Sequence, residues 1–141
     1  MNDLKTVAVG FDGSPDSQAA VYWALSLARQ LDAEVVLVHA VGLLEHTRRD
    51  SVADELTAIM TRLTLERGVD PSRVRLLVVD GDACSALLRC ADEPVGADML
   101  VVGSRGAGAH AGLLLGSTSL ELAERTTIPL VVVPHHRSAS A

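Results

Sequence analysis

Between positions 103 and 117 the chain reads GSRGAGAHAGLLLGS, with five glycines in fifteen residues. Such a segment suits phosphate chemistry. Without a Cβ, backbone N–H groups can converge and a bulky polyphosphate can approach the main chain. The segment ends at Gly116 and Ser117, where a helix is expected to begin. Unpaired amides and the positive end of a helix dipole favour an anion there, and Ser117 and Thr118 add hydroxyl donors. Arg105 is the single full positive charge in the segment, and no lysine takes the place it has in a P-loop. Neutralising a polyphosphate would therefore fall to amides, Arg105 and a metal ion. His110 reads as a solvent-facing loop residue.

A second group lies near the amino terminus. Asp12 follows an apolar run and precedes Gly13 and Ser14, a helix N-cap candidate. A carboxylate there suits ribose hydroxyls or a magnesium ion. His39 interrupts a buried-looking run and reads as a satisfied core or strand-end histidine. His135 and His136 follow the last run without a carboxylate or cysteine cluster, so a metal site is not expected there. No serine stands in a Gly-x-Ser-x-Gly elbow, and no nucleophile pairs with a base. The expectation is a binding protein rather than a fast enzyme.

These groups need elements to hold them. Apolar runs at residues 7–9, 35–38, 99–102 and 130–133 do not alternate with polar residues, the pattern of strands buried on both faces. A fifth strand, residues 73–79, carries Arg73 and Arg75, which suits a sheet edge. Between the strands, Val21, Ala24, Leu25, Ala28 and Leu31 form one helical stripe and Val52, Leu56, Ile59 and Leu63 a second. Further helices are expected over 83–91 and 117–125. The alternation predicts an α/β three-layer sandwich: a five-stranded parallel sheet with helices on both faces. Ligands of such sheets settle outside the carboxyl ends of the strands, which selects the loops 10–14, 40–45 and 103–117. Residues 1–136 read as one nucleotide-binding domain and 137–141 as a flexible tail.

Composition narrows the function further. The 141 residues are 48% hydrophobic and 21% charged, enough for a packed core. A net charge of −6 disfavours nucleic acid and anionic membranes, which need a basic field. With 2% aromatic residues there is no platform on which bases could stack. Cys84 and Cys90 read as buried thiols of a reducing compartment rather than a disulfide or a metal pair. No signal peptide and no span of about 20 apolar residues is seen. A cytoplasmic location is expected.

The spacing Gly103, two residues, Gly106, nine residues, Gly116, Ser117 resembles the nucleotide signature of the ATP-binding branch of the universal stress protein family. The likeness extends over residues 4–134, through Val9-Gly10-Phe11-Asp12-Gly13-Ser14, Val38-His39-Ala40-Val41, Gly81-Asp82 and Pro129-Leu130-Val131-Val132-Val133. The resemblance implies strand order 3-2-1-4-5 and ATP, with magnesium, as ligand. It places Gly10 and Asp12 near ribose and adenine, and the Ala40 backbone at the adenine edge. Gly103, Ser104, Arg105, Gly106, Ala107, Gly108 and Ala109 would wrap the phosphates, with Gly116, Ser117 and Thr118 closing over them. In that order residues 130–133 form an unprotected edge, so a homodimer through this strand is expected. The implied function is an ATP-dependent stress-response switch, acting on an unknown protein partner, with slow or no hydrolysis. Alternatives are a scaffold that binds no nucleotide, a weak ATP hydrolase or autophosphorylating protein using Ser117 or Thr118, and a phosphoacceptor receiver using Asp12, Asp80 and Ser104.

Overall fold

A computed structural model describes residues 3–43, 45–104 and 115–134. In chain order the elements are β1 (Thr6–Gly10), α1 (Pro15–Leu31), β2 (Glu34–Val41), α2 (Arg49–Glu66), β3 (Val74–Asp80), α3 (Ala83–Arg89), β4 (Met99–Gly103), α4 (Ser117–Arg125) and β5 (Leu130–Val133). The strands form one sheet, all pairs parallel, in the order β3-β2-β1-β4-β5. This is the expected α/β sandwich and strand order.

The apolar runs explain why β1, β2 and β4 occupy the middle. Alternate residues of a strand face opposite sides of the sheet, and here both sides are covered. Val7, Val9, Val35, Leu37 and Val101 pack into a core that includes residues of α1 and α2. Ala8, Val36, Val38, Leu100 and Val102 pack into a second core with Cys84, Leu87 and Leu122 of α3 and α4. Each fully buried Val or Leu contributes roughly 1.5–3 kcal/mol, so these runs outweigh any local preference. At the amino ends of the strands, the Asp98 carboxylate accepts from the N–H groups of Lys5 and Thr6, at 2.9 and 3.0 Å.

The arginine-bearing strand β3 does lie at an edge, with Arg75 exposed and Arg73 paired to Asp32 at 2.9 Å. At the other margin, β5 pairs with β4 alone, and all four of its residues are half-buried. Three sequence readings need correction. Leu31, assigned to the buried stripe of α1, is 50% exposed, because the helix ends there and Asp32 turns the chain with a left-handed φ of 56°. Ala40, assigned to a loop, lies inside β2, which continues to Val41 because β3 pairs with it that far. Ile59 is only partly buried, while Thr64 takes a buried place on α2. Cys84 and Cys90 are free and buried, and burial pushes the Cys90 thiol above its ordinary pKa.

Candidate functional site: the carboxyl ends of β1, β2 and β4

The chain leaves β1 through Gly10, which is squeezed from two sides. A Cβ there would lie 3.1 Å from Leu87 Cδ1 and 3.3 Å from Val102 Cγ1. The Phe11 N–H donates to the Val38 carbonyl at 2.9 Å, and the chain then turns into α1. That turn is held from within. The Asp12 carboxylate accepts from the Ser14 N–H at 2.9 Å, and the Ser14 side chain caps α1 by accepting from the Ser17 N–H at 3.3 Å. Buried Ser17 donates its hydroxyl to the Ser14 carbonyl and accepts from the Asp12 N–H. Gly13 has a φ of 83°, which a side chain would resist. Asp12 is exposed, beyond the carboxyl end of β1.

Ala40 sits beside this turn. Val38 offers its carbonyl to Phe11 on the β1 side, whereas Val41 offers its own to Gly81 on the β3 side. Peptide groups alternate along a strand, so those of Ala40 face β1, beyond the last register pair Gly10–Val38. His39 is 8% exposed, its Nδ1 lying 3.1 Å from the Phe11 carbonyl oxygen. Its Nε2 is 3.6 Å from Glu45 Oε2 and has no hydrogen-bond partner among the described residues. The expectation of a satisfied histidine thus holds for one ring nitrogen and fails for the other.

The end of β4 is the most tightly determined part. Sequence reasoning places Gly103 beside the phosphates, and the structure adds a packing role, since its Cβ position is filled by protein. A Cβ there would stand 2.6 Å from the Asp16 carbonyl oxygen, so Gly103 lets the first turn of α1 lie on β4. Beyond it, the Ser104 N–H donates to the Val133 carbonyl at 3.0 Å. The glycine-rich segment closes on itself, because the Gly116 N–H donates to the Ser104 carbonyl at 2.6 Å. Buried Ser119 adds a second tie, its hydroxyl donating to the Gly103 carbonyl at 3.0 Å. Gly116 is the N-cap of α4, in extended conformation and without a side-chain capping bond. No side chain of that cap therefore covers the first amides of α4, at Ser117 and Thr118.

The structure thus brings Gly10, Asp12, Ala40, Gly103, Ser104, Gly116, Ser117 and Thr118 to one end of the sheet, on β1, β2, β4 and the start of α4. Arg105, Gly106, Ala107, Gly108, Ala109 and His110 lie outside the described residues, as do His135, His136 and residues 137–141. Ser119 and the His39–Phe11 contact were missed by sequence reasoning. The helical register offered a signal for Ser119, which falls on the inner face of α4 with Leu122. Among the described residues no group of three or more His, Cys, Asp or Glu is placed to hold a metal ion, and no helix is long and apolar enough to cross a membrane. Asp80 stands on edge strand β3, separated from Asp12 by β2, and its carboxylate is bound by Arg49 at 2.6 Å. A receiver-type acidic pocket needs those carboxylates together, so this arrangement counts against it.

Comparison with known proteins gives a consistent picture. Residues 3–134 match the Universal stress protein family. A universal stress protein of Mycobacterium tuberculosis is 34% identical over 134 residues, covering 89% of this chain and 44% of its own. This chain spans less than half the length of that relative. Among solved structures, a universal stress protein in complex with cAMP is 30% identical with a TM-score of 0.73, covering 96% of this chain and 100% of its own. A universal stress protein from Archaeoglobus fulgidus in complex with dAMP shares the fold, with a TM-score of 0.72 at 18% identity, covering 94% of this chain and 99% of its own.

Proposed function

The chain belongs to the universal stress protein family, and on that premise we propose that it binds ATP or a close adenine nucleotide across the carboxyl ends of β1, β2 and β4. One observation carries the reading. The Ser104–Gly116 bond sets the start of α4, which its glycine N-cap leaves without a side-chain cap, beside the end of β4, the neighbour of β1; this supports a reading in which donors for phosphate and base serve one ligand. The relative solved with cAMP, at 30% identity, supports an adenine nucleotide as the ligand class.

In this reading the Ala40 peptide meets the adenine edge, and Gly10 and Asp12 lie along base and ribose. Gly103, Ser104 and the stretch Arg105 to Ala109 follow the phosphates, while Gly116, Ser117 and Thr118 close over them with amides and hydroxyls. Asp12 is exposed and already oriented by the Ser14 N–H, which fits a carboxylate at the edge of a Mg-nucleotide. Magnesium supplies charge neutralisation that the one arginine of the segment cannot supply alone.

Binding of this kind suits a switch. A ligand that orders the segment between Ser104 and Gly116 favours one surface for a protein partner over another. Hydrolysis is slow or absent in this reading, since the sequence offers no convincing pairing of a nucleophile with a base. The unprotected β5 edge at Leu130 to Val133 pairs with a second copy, giving a homodimer, and the protein works in the cytoplasm.

Equilibrium binding of ATP, ADP, GTP and cyclic AMP to the wild type and to Gly106→Glu tests site and base together. Adenine nucleotides are expected to bind the wild type and to lose affinity for the variant, which places a negative side chain among the phosphates. Absence of binding, with no rise in Tm at millimolar Mg-ATP, would overturn the proposal in favour of a scaffold. Turnover faster than about 1 per second would overturn the switch in favour of an enzyme.

A further inference from the structure

The β1–β2 ladder stops one rung early, and a side chain stands in the missing rung. In a parallel pair, the bond from the Phe11 N–H to the Val38 carbonyl is followed by one from the Ala40 N–H to the Phe11 carbonyl. The register instead ends at Gly10–Val38, and the Phe11 carbonyl oxygen lies 3.1 Å from His39 Nδ1. A carbonyl can only accept, so Nδ1 carries the proton. We propose that His39 is a positioning residue: its Nδ1–H occupies the Phe11 carbonyl in place of the Ala40 N–H, and so keeps that amide turned to the crevice to donate to the edge of a nucleobase.

The other ring nitrogen strengthens the argument. Nε2 is buried and has no hydrogen-bond partner among the described residues, with Glu45 Oε2 at 3.6 Å. A buried polar atom left unpaired costs stability, and an apolar side chain would avoid that cost. Nδ1 is thus the ring nitrogen whose hydrogen bond the described residues show. The neighbouring residues agree: Val38 and Ala40 send their side chains to the core under α3 and α4, so His39 points to the opposite side of β2, where its Nδ1 reaches the turn after β1.

The second half of this inference rests on the nucleotide reading above, and the first half does not. The test uses the full chain with His39→Asn, whose amide nitrogen can replace Nδ1, and with His39→Gln and His39→Leu, which cannot replace it. Amide hydrogen exchange at Ala40, followed by NMR without ligand, reads the rung directly. Exchange at Ala40 is expected to slow about tenfold in the Gln and Leu variants as the amide takes the freed carbonyl, and to stay as in the wild type with Asn. General destabilisation would move exchange the opposite way. Unchanged or faster exchange at Ala40 in whichever of the Gln and Leu variants folds would overturn the proposal. Affinity for AMP is expected to fall about fivefold to tenfold in those variants, the worth of one hydrogen bond, and to recover with Asn. Affinity for inorganic tripolyphosphate should not change, since it has no base. Equal losses for AMP and tripolyphosphate would overturn base positioning. A wild type that binds no AMP would overturn the nucleotide reading and the base-positioning half together, while exchange at Ala40 would still decide the rung.

Discussion

Gly103 carries the backbone of Asp16 directly against it, so closely that a Cβ would fall 2.6 Å from one backbone atom and 2.8 Å from the next. Neither can yield as a flexible side chain would. Gly103→Ala is expected to cost about 1–3 kcal/mol through overpacking between β4 and α1. Urea unfolding should show a lower midpoint with the slope unchanged. A midpoint equal to the wild type would mean that α1 lifts from β4 without cost.

The hydroxyl of Ser119 is the second tie across the base of the glycine-rich segment. Ser119→Ala removes its bond to the Gly103 carbonyl and should cost about 0.5–1.5 kcal/mol, more if no water replaces it. The same variant should weaken ATP binding, because the start of α4 then loses one of its two ties to the end of β4. Calorimetric titration alongside unfolding checks both effects, and a variant that loses stability but keeps full affinity would assign Ser119 to folding only.

Stability should carry an acid limb traceable to Asp82. This carboxylate caps α3 by accepting from the Ser85 N–H at 2.9 Å, which holds its pKa below the ordinary value of about 3.9. A lowered folded-state pKa means that the contribution is complete above the unfolded value and is lost as pH falls through the folded one. The stability difference between the wild type and Asp82→Ala should therefore be constant near neutrality and shrink below about pH 4. A gap that does not narrow in acid would remove the ionised cap from the explanation.

The edge at β5 allows a backbone-only test of self-association. The carbonyls of Pro129 and Val133 point to β4, so by alternation the peptide groups of Val132 point outward. Val132→Pro deletes one outward donor and spares the bonds to β4. Sedimentation at micromolar concentration is expected to give a dimer for the wild type and a dissociation constant at least about tenfold weaker for the variant. A wild type that sediments as a monomer would remove the dimer proposal.

The layers of this molecule are legible in the chain because their cause is local: runs such as Val35 to Val38 have no polar face, and only a strand covered on both sides accommodates that. The edge position of β3 was legible from Arg75 for the same reason. What escaped depends on contacts distant in sequence. Gly103 faces Asp16 across 87 positions, and no local pattern reveals that packing. Ala40 looked like the start of a loop because the pairing that extends β2 comes from β3. Ser119 resembled any helix serine until the Gly103 carbonyl was found above it.

The bond between Gly116 and Ser104 makes departure and return of the chain nearly coincide. Two ties hold that meeting point, the Gly116–Ser104 bond and the Ser119 hydroxyl on the Gly103 carbonyl, and both sit at the end of β4. Since both ties end on backbone carbonyls, a change of side chain at Ser104 leaves them in place.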